Sequence, residues 1–251
     1  MDIGITSVTF RSLDYETIIK YCVDCGIKYI GWGSDVHVLP GDIEMAKKVY
    51  DEMIKNNLVI TSYESYYTCC KYENPQEEFK KYLETCRVLC APVIRIWAGN
   101  MDYEKGGEEY FNKVVNESKM LCDMAKEYGV TVAYECHSST LTYTSDCSLR
   151  LLKAVNKDNI GIYFQDELDR DLEYNLDAIE KLSEYIKMIH AFCFEKRERV
   201  PFDSATGKRK WTAYFNKLKE NNVDENVLLE FLLKEEYDEL KKEKNSLFKY
   251  M

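Results

Sequence analysis

The chain has 251 residues, 45% of them apolar, and a net charge of −10. A sizeable core is therefore available, and global disorder is not expected; nor is binding to nucleic acid or an anionic membrane, which needs neutralising Lys and Arg. Eleven Gly and four Pro exclude collagen-like and low-complexity readings, and no apolar run reaches the roughly 18 residues of a membrane-spanning helix.

The chain opens on Met-Asp-Ile-Gly-Ile-Thr-Ser-Val-Thr-Phe, with no basic stretch before an apolar one, so no signal peptide and a cytoplasmic location are expected. Ten cysteines without an export signal read as reduced thiols. Ile3–Phe10 reads as a first strand and Asp14–Cys25 as a helix, with Asp14 as N-cap and Gly26 as left-handed C-cap. Within that helix Cys22-Val-Asp-Cys25 matches C-x-x-C. Ile18, Ile19 and Cys22 share one face, and no second pair completes a zinc site, so packed thiols are favoured over redox or metal chemistry. Strand Ile27–Trp32 and helix Asp42–Asn56 follow, then strand Leu58–Tyr63 and helix Gln76–Cys90, which Pro92 stops. Val93–Trp97 precedes helix Glu108–Tyr128, Val130–Tyr134 precedes Ser145–Val155, and Ile160–Phe164 precedes Leu172–Tyr185. Gly129 and Asn156 stand at helix ends, and Asp42 and Ser145 at helix starts. Met188–Phe194 leads into the longest irregular segment, Lys196–Trp211, before helix Thr212–Asn221; Val227–Phe231 and Tyr237–Tyr250 close the series.

Apolar runs this short between helical patterns read as buried parallel strands. Eight strand–helix pairs in 251 residues, about 31 residues each, match the (β/α)8 barrel. The rival, a doubly wound open sheet, usually carries a glycine-rich phosphate loop after its first strand. Val8-Thr9-Phe10-Arg11-Ser12 has no glycine. With no linker and no break in composition, the prediction is an α/β fold with one domain over 1–251, a single (β/α)8 TIM barrel.

In such a barrel the chemistry sits at the C-terminal strand ends. Those ends offer Arg11 after strand one, Trp32, Asp35 and His37 after strand two, and Tyr63, Glu64, Tyr66 and Tyr67 after strand three. Strand four gives Arg95, Trp97 and Asn100, strand five Glu135 and His137, and strand six Gln165 and Asp166. Strand seven gives His190, Phe192 and Phe194, and strand eight Glu230. All three histidines of the chain fall on these ends, which points to function rather than chance packing. Glu135 and Glu230 each end an apolar strand, where a carboxylate is costly unless it is paired or bound to metal. Either an ion pair with Arg95 or a metal site answers that cost. Glu135, Gln165, His190 and Glu230 form an oxygen and imidazole donor set suited to Mn²⁺, Zn²⁺, Fe²⁺ or Co²⁺, with Mg²⁺ less favoured. Alternation turns Asp166, Cys136 and Cys193 the other way.

The sequence resembles the sugar phosphate isomerase/epimerase family with the xylose-isomerase-like TIM-barrel fold over nearly its whole length. The resemblance rests on Thr6-Ser7-Val8-Thr9-Phe10-Arg11, on Gly31 through Asp42, on Ser65-Tyr66-Tyr67 and on Ala91 through Gly99. It continues in Glu135 through Thr142, Tyr163-Phe164-Gln165, His190-Ala191-Phe192 and Leu229-Glu230-Phe231. It implies one divalent metal ion, Mn or Zn before Mg or Co, held by Glu135, Gln165, His190 and Glu230, with Glu135 and Glu230 also acting as the acid/base pair. Epimerases of this fold usually carry Asp at the Gln165 position, and relatives with the strand-two motif usually carry Glu at Gly31. The implied reaction moves a proton next to the carbonyl of a sugar or sugar phosphate through an enediolate. Arg11, His37, Arg95 and His137 are candidate contacts to that substrate, and Trp32, Tyr66, Trp97 and Phe192 are candidate shields against water, against the alternative of core packing. Lys196, Arg197, Arg199, Lys208, Arg209 and Lys210 cluster after strand seven; Arg199 and its neighbours can grip a phosphate or carboxylate, against the alternative of a solvated loop. An apurinic endonuclease shares the barrel but needs more histidines than three and a basic surface. A catalytically impaired sugar-binding or regulatory barrel is the remaining rival. Homo-oligomerisation is left open, because no exposed apolar stripe decides it.

Overall fold

A computed structural model describes all 251 residues. Eight parallel strands close into a barrel: β1 (Ile3–Thr6), β2 (Tyr29–Gly33), β3 (Val59–Thr68), β4 (Val93–Trp97), β5 (Thr131–Glu135), β6 (Ile160–Phe164), β7 (Ile186–Ala191) and β8 (Val227–Leu229). Each strand pairs with its sequence neighbours, and β8 closes the ring against β1 through Ile3↔Val227 and Ile5↔Leu229. Helices α1 (Tyr15–Cys25), α2 (Ile43–Lys55), α3 (Pro75–Leu89), α4 (Tyr103–Glu127), α5 (Ser145–Val155), α6 (Leu172–Leu182), α7 (Ala205–Glu220) and α8 (Tyr237–Phe248) follow the strands in turn. This is the predicted (β/α)8 TIM barrel. No helix is long and apolar enough to cross a membrane.

Local chemistry sets the helix ends. Asp14 and Asp42 accept from the amides of Thr17 and Met45, and Gly26 takes the left-handed conformation, φ 66°, after α1. At α5 the cap is Thr144, one residue before the expected Ser145. All ten cysteines are free thiols, and Cys22 is buried in the face of α1 that packs on the barrel.

Four boundaries differ from expectation in ways that matter for the site. The first strand stops at Thr6, and Ser7–Phe10 forms a buried 3-10 turn; an apolar run reports burial but not which backbone geometry achieves it. Strand β3 runs on to Thr68 and carries Glu64 and Tyr66 up the barrel wall. Helix α4 starts at Tyr103, before the expected Glu108, and Gly107 breaks its regularity at φ 62°. Lys196–Trp211 is not one irregular loop. It contains a hairpin, Phe194–Glu195 against Glu198–Arg199, and then the first turns of α7, capped by Ser204. Lys208, Arg209 and Lys210 therefore lie on a helix.

A large core of 61 buried residues fills the space between strands and helices. A second, small cluster of Ala133, Tyr163, Met188 and Leu228 lies apart from it. These four come from the inward-facing positions of β5, β6, β7 and β8, so they form a floor inside the barrel.

Candidate metal centre and active site

Two residues above that floor, the same alternation brings the polar groups inward: Arg95 on β4, Glu135 on β5, Gln165 after β6, His190 on β7 and Glu230 after β8. Glu135, His190 and Glu230 are buried, and one donor atom from each lies within 4.8 Å of the others. His190 Nδ1 stands 3.3 Å from Glu230 Oε2, 3.7 Å from Glu135 Oε1 and 3.2 Å from Gln165 Oε1. Gln165 donates its amide to the Cys136 carbonyl, which turns its oxygen toward the imidazole.

The two glutamates differ in their partners. Glu135 Oε2 receives Arg95 Nη1 at 3.0 Å and the Trp97 indole N–H at 2.5 Å, so Oε1 is the oxygen turned toward His190. Glu230 Oε2 is buried with no hydrogen-bond donor. Leaving a carboxylate oxygen in that state is costly, and a cation at the focus of the four side chains removes the cost. Two carboxylates, an amide oxygen and an imidazole nitrogen fit a divalent ion of the Mn²⁺ or Zn²⁺ type. Burial alone would push the His190 imidazole down, but Glu230 and Glu64 outweigh it and hold it up at about 10. Substituting Gln165→Leu keeps the volume and removes one oxygen; metal titration is expected to show affinity lower by about 10–100-fold.

Above these groups opens a cavity of about 590 Å³. Five of the residues expected to touch substrate line it: Arg11, Tyr66, Arg95, Trp97 and His137. Tyr66 meets Trp97 edge-on at 5.6 Å, and His137 stacks on Trp97 at 4.8 Å. Across the cavity, Phe192 packs against Phe194 and Phe231 with ring centres 5.6 Å away in each case. Arg11 reaches the rim, 2.8 Å from Asp35 and 2.6 Å from the Tyr66 hydroxyl.

Three expected contacts lie elsewhere. Gly31 and Gly33 occupy the inward positions of β2, so Trp32 faces outward and is fully buried. His37 sits beside it, edge-on at 5.8 Å, with Nδ1 3.0 Å from Ser7 Oγ and Nε2 3.1 Å from the Leu13 carbonyl. Burial pushes its imidazole below the usual value. It ties the 3-10 turn to the β2 exit and does not reach the cavity. Arg199 is turned away by the hairpin. Its Nη2 lies 2.8 Å from Glu243, which is fully buried, and its Nε donates to the Phe231 carbonyl. Arg199 therefore pins the turn that presents Glu230 and Phe231, where Phe231 adopts φ 53°.

The expected basic cluster is dispersed in the same way. Lys210 lies buried against Asp166 at 2.7 Å, and Arg197 pairs with Asp169 at 2.7 Å. Asp166 does point away from the donor set, as alternation requires. Glu64 is the site residue that sequence reasoning left unassigned. It is fully buried on β3, with Oε2 3.5 Å from His190 Nε2 and 3.6 Å from Arg95 Nε. A charged residue at an inward position of a buried strand was the available signal.

A family model described as a xylose isomerase-like TIM barrel matches residues 19–247. A 3-dehydroshikimate dehydratase of Bacillus anthracis is 23% identical over 173 residues, 64% of this chain and 60% of that relative's length. The solved structure of a D-psicose 3-epimerase with D-tagatose, from Clostridium cellulolyticum H10, superposes with a TM-score of 0.77. It is 14% identical, and the match covers 100% of this chain and 98% of that one. The structure of the IOLI protein with a bound zinc atom gives a TM-score of 0.79 at 19% identity, covering 100% of this chain and 99% of the other.

Proposed function

The chain belongs to the xylose isomerase-like TIM barrels, and from that premise we propose that it is a metal-dependent sugar isomerase or epimerase. The observation that carries this reading is the buried convergence of Glu135, His190 and Glu230, with the Gln165 oxygen 3.2 Å from the same imidazole nitrogen. These four residues would hold the ion. When bound, a divalent ion stabilises negative charge on a substrate carbonyl oxygen while the neighbouring carbon gives up its proton. Glu230, whose Oε2 has no hydrogen-bond donor, is the group placed to take that proton. Glu135, gripped by Arg95 and Trp97, acts from β5, three strands round the barrel from β8, as its partner in returning one. Return to the opposite face of the same carbon gives an epimer; return to the adjacent carbon exchanges aldose and ketose.

The walls fit this chemistry. Trp97 and Tyr66 on one side and Phe192, Phe194 and Phe231 on the other exclude water from a flat, charged intermediate. Arg11, Tyr66 and His137 present donors to substrate hydroxyls. Of the arginines that line the cavity, Arg11, Arg95 and Arg197 each already face a carboxylate. That arrangement favours an unphosphorylated sugar over a sugar phosphate.

A second outcome of the same first step is favoured by the dehydratase relative: after proton removal, a hydroxyl on the next carbon leaves as water. Incubation of metal-loaded protein in D₂O, followed by NMR, separates the two. Deuterium entering the carbon next to the carbonyl of a ketose or aldose, with an epimer or isomer formed, supports the proposal. Water loss from 3-dehydroshikimate, with no exchange into any sugar, replaces it with the dehydratase. Sugar binding without exchange in the presence of Mn²⁺ or Zn²⁺ leaves a binding barrel.

A further inference from the structure

Glu64 stands outside the donor set, yet it is fully buried in the middle of the barrel. Its Oε1 receives the Ser62 hydroxyl at 2.5 Å and the Tyr163 hydroxyl at 3.3 Å. Its Oε2 has no hydrogen bond and faces His190 Nε2 at 3.5 Å, and that nitrogen also has no hydrogen bond. The other imidazole nitrogen, Nδ1, faces Gln165, Glu135 and Glu230. His190 is thus held between two different environments, a single carboxylate at Nε2 and the whole proposed ligand set at Nδ1.

A neutral imidazole carries one N–H, and only its other nitrogen can bind a metal. A carboxylate accepts and cannot donate; Glu135, Glu230 and the Gln165 oxygen are likewise acceptors on the Nδ1 side, so once a cation satisfies them there, Glu64 is the acceptor left for the imidazole proton, on Nε2. We propose that Glu64 is a positioning residue: it holds the His190 proton on Nε2 and so turns the Nδ1 lone pair toward the metal. This rests on the metal-site reading above and adds a residue that belongs to neither the ligand set nor the cavity wall. The space for Glu64 comes from β2. A Cβ built on Gly31 would lie 2.6 Å from Glu64 Oε1 and 2.5 Å from Ser62 Oγ, closer than real contacts allow. Gly31 therefore leaves free the volume that the β3 carboxylate and its Ser62 partner occupy. The competing role for Glu64, balancing Arg95 alone, fits less well. Arg95 is closer to Glu135, at 3.0 Å against 3.6 Å, and its Nε and Nη2 donate to the Ser65 carbonyl.

The test uses the full chain loaded with Zn²⁺, which is diamagnetic, and ¹⁵N-histidine NMR. With three histidines in the chain, the His190 signals are identified by their loss in His190→Gln. Glu64→Gln is isosteric and removes the charge; Gly31→Ala leaves the carboxylate but displaces it. Both are expected to lower Zn²⁺ affinity in calorimetric titration by about 10–100-fold and to move the His190 Nε2 resonance in the zinc-loaded protein. If Glu64→Gln does not fold, Gly31→Ala carries the same test. Wild-type affinity in the variants, or weakened affinity with an unmoved Nε2 resonance, overturns the role of Glu64 while the metal site stands. A wild-type chain that takes up no Zn²⁺ or Mn²⁺ removes the metal site, and the role of Glu64 with it.

Discussion

Replacing Glu230 with glutamine is expected to lower turnover by about 10²–10⁴-fold, the range lost with a positioned acid or base. The change keeps the shape of the side chain and removes its ability to accept a proton. His190→Ala is expected to fail one step earlier. It takes away the nitrogen that lies 3.2–3.7 Å from all three oxygen donors, so metal content should fall from near-stoichiometric to background. Elemental analysis of the purified wild type, Glu135→Gln and His190→Ala, set beside the rate of sugar-proton exchange in D₂O for Glu230→Gln, checks both. Wild-type exchange in Glu230→Gln would remove Glu230 from the acid/base role. Full metal occupancy in His190→Ala would remove the imidazole from the ligand set.

The second large effect is on stability. Lys210 on α7 reaches down to Asp166 at 2.7 Å, and the Tyr214 hydroxyl donates to the other oxygen of the same carboxylate, also at 2.7 Å. The Asp166 side chain is fully buried and that of Lys210 is 11% exposed. Burial pushes the Asp166 carboxyl up, and Lys210 and Tyr214 oppose that rise. Removing one partner of a buried pair strands the other charge and costs about 3–5 kcal/mol. Lys210→Met is therefore expected to lower the melting temperature by roughly 10 °C, since 1 kcal/mol moves Tm by about 2–4 °C in a chain of this size. Adding Asp166→Leu, which removes the stranded charge, is expected to recover part of the loss. A thermal melt of the single and double variants decides it. An unchanged midpoint in Lys210→Met would show that the pair contributes nothing net. Asp166 follows Gln165 directly, so this pair anchors the backbone next to the proposed strand-six ligand.

The donor set was legible in the sequence because it depends on two short-range rules. Strand side chains alternate, and a strand of this barrel ends at its active face. Glu135, Gln165, His190 and Glu230 needed only the right strand and the right face: strand six ends where expected, strand five runs one residue further to Glu135, and strands seven and eight stop early at Ala191 and Leu229, but the alternation that turns these four side chains inward is unchanged. The same rules misplace Trp32, because a position at a strand end is not by itself a position at the mouth. The glycines at 31 and 33 hold the inward places instead. His37 and Arg199 were misplaced for a different reason. Each follows a strand, but a tight local structure, the 3-10 turn at Ser7–Phe10 and the hairpin at Phe194–Arg199, redirects the side chain toward a distant partner. Such partners, Leu13 for His37 and Glu243 for Arg199, leave no periodic trace.

By itself, then, the sequence determined the barrel, the order of its elements and the four residues that converge at its centre. Periodicity, capping and the cost of an inward charge are local and can be read one segment at a time. Only the tertiary structure decided which cations are free. Lys210, Arg197 and Arg199 read as one basic cluster along the chain, yet each is paired with an acid from another segment; for Lys210 and Arg199 burial forces the charge to find a counter-charge wherever packing supplies one, while Arg197 meets Asp169 at the exposed surface. It also decided the place of Glu64, whose meeting with His190 spans the width of the barrel and depends on the missing side chain of Gly31.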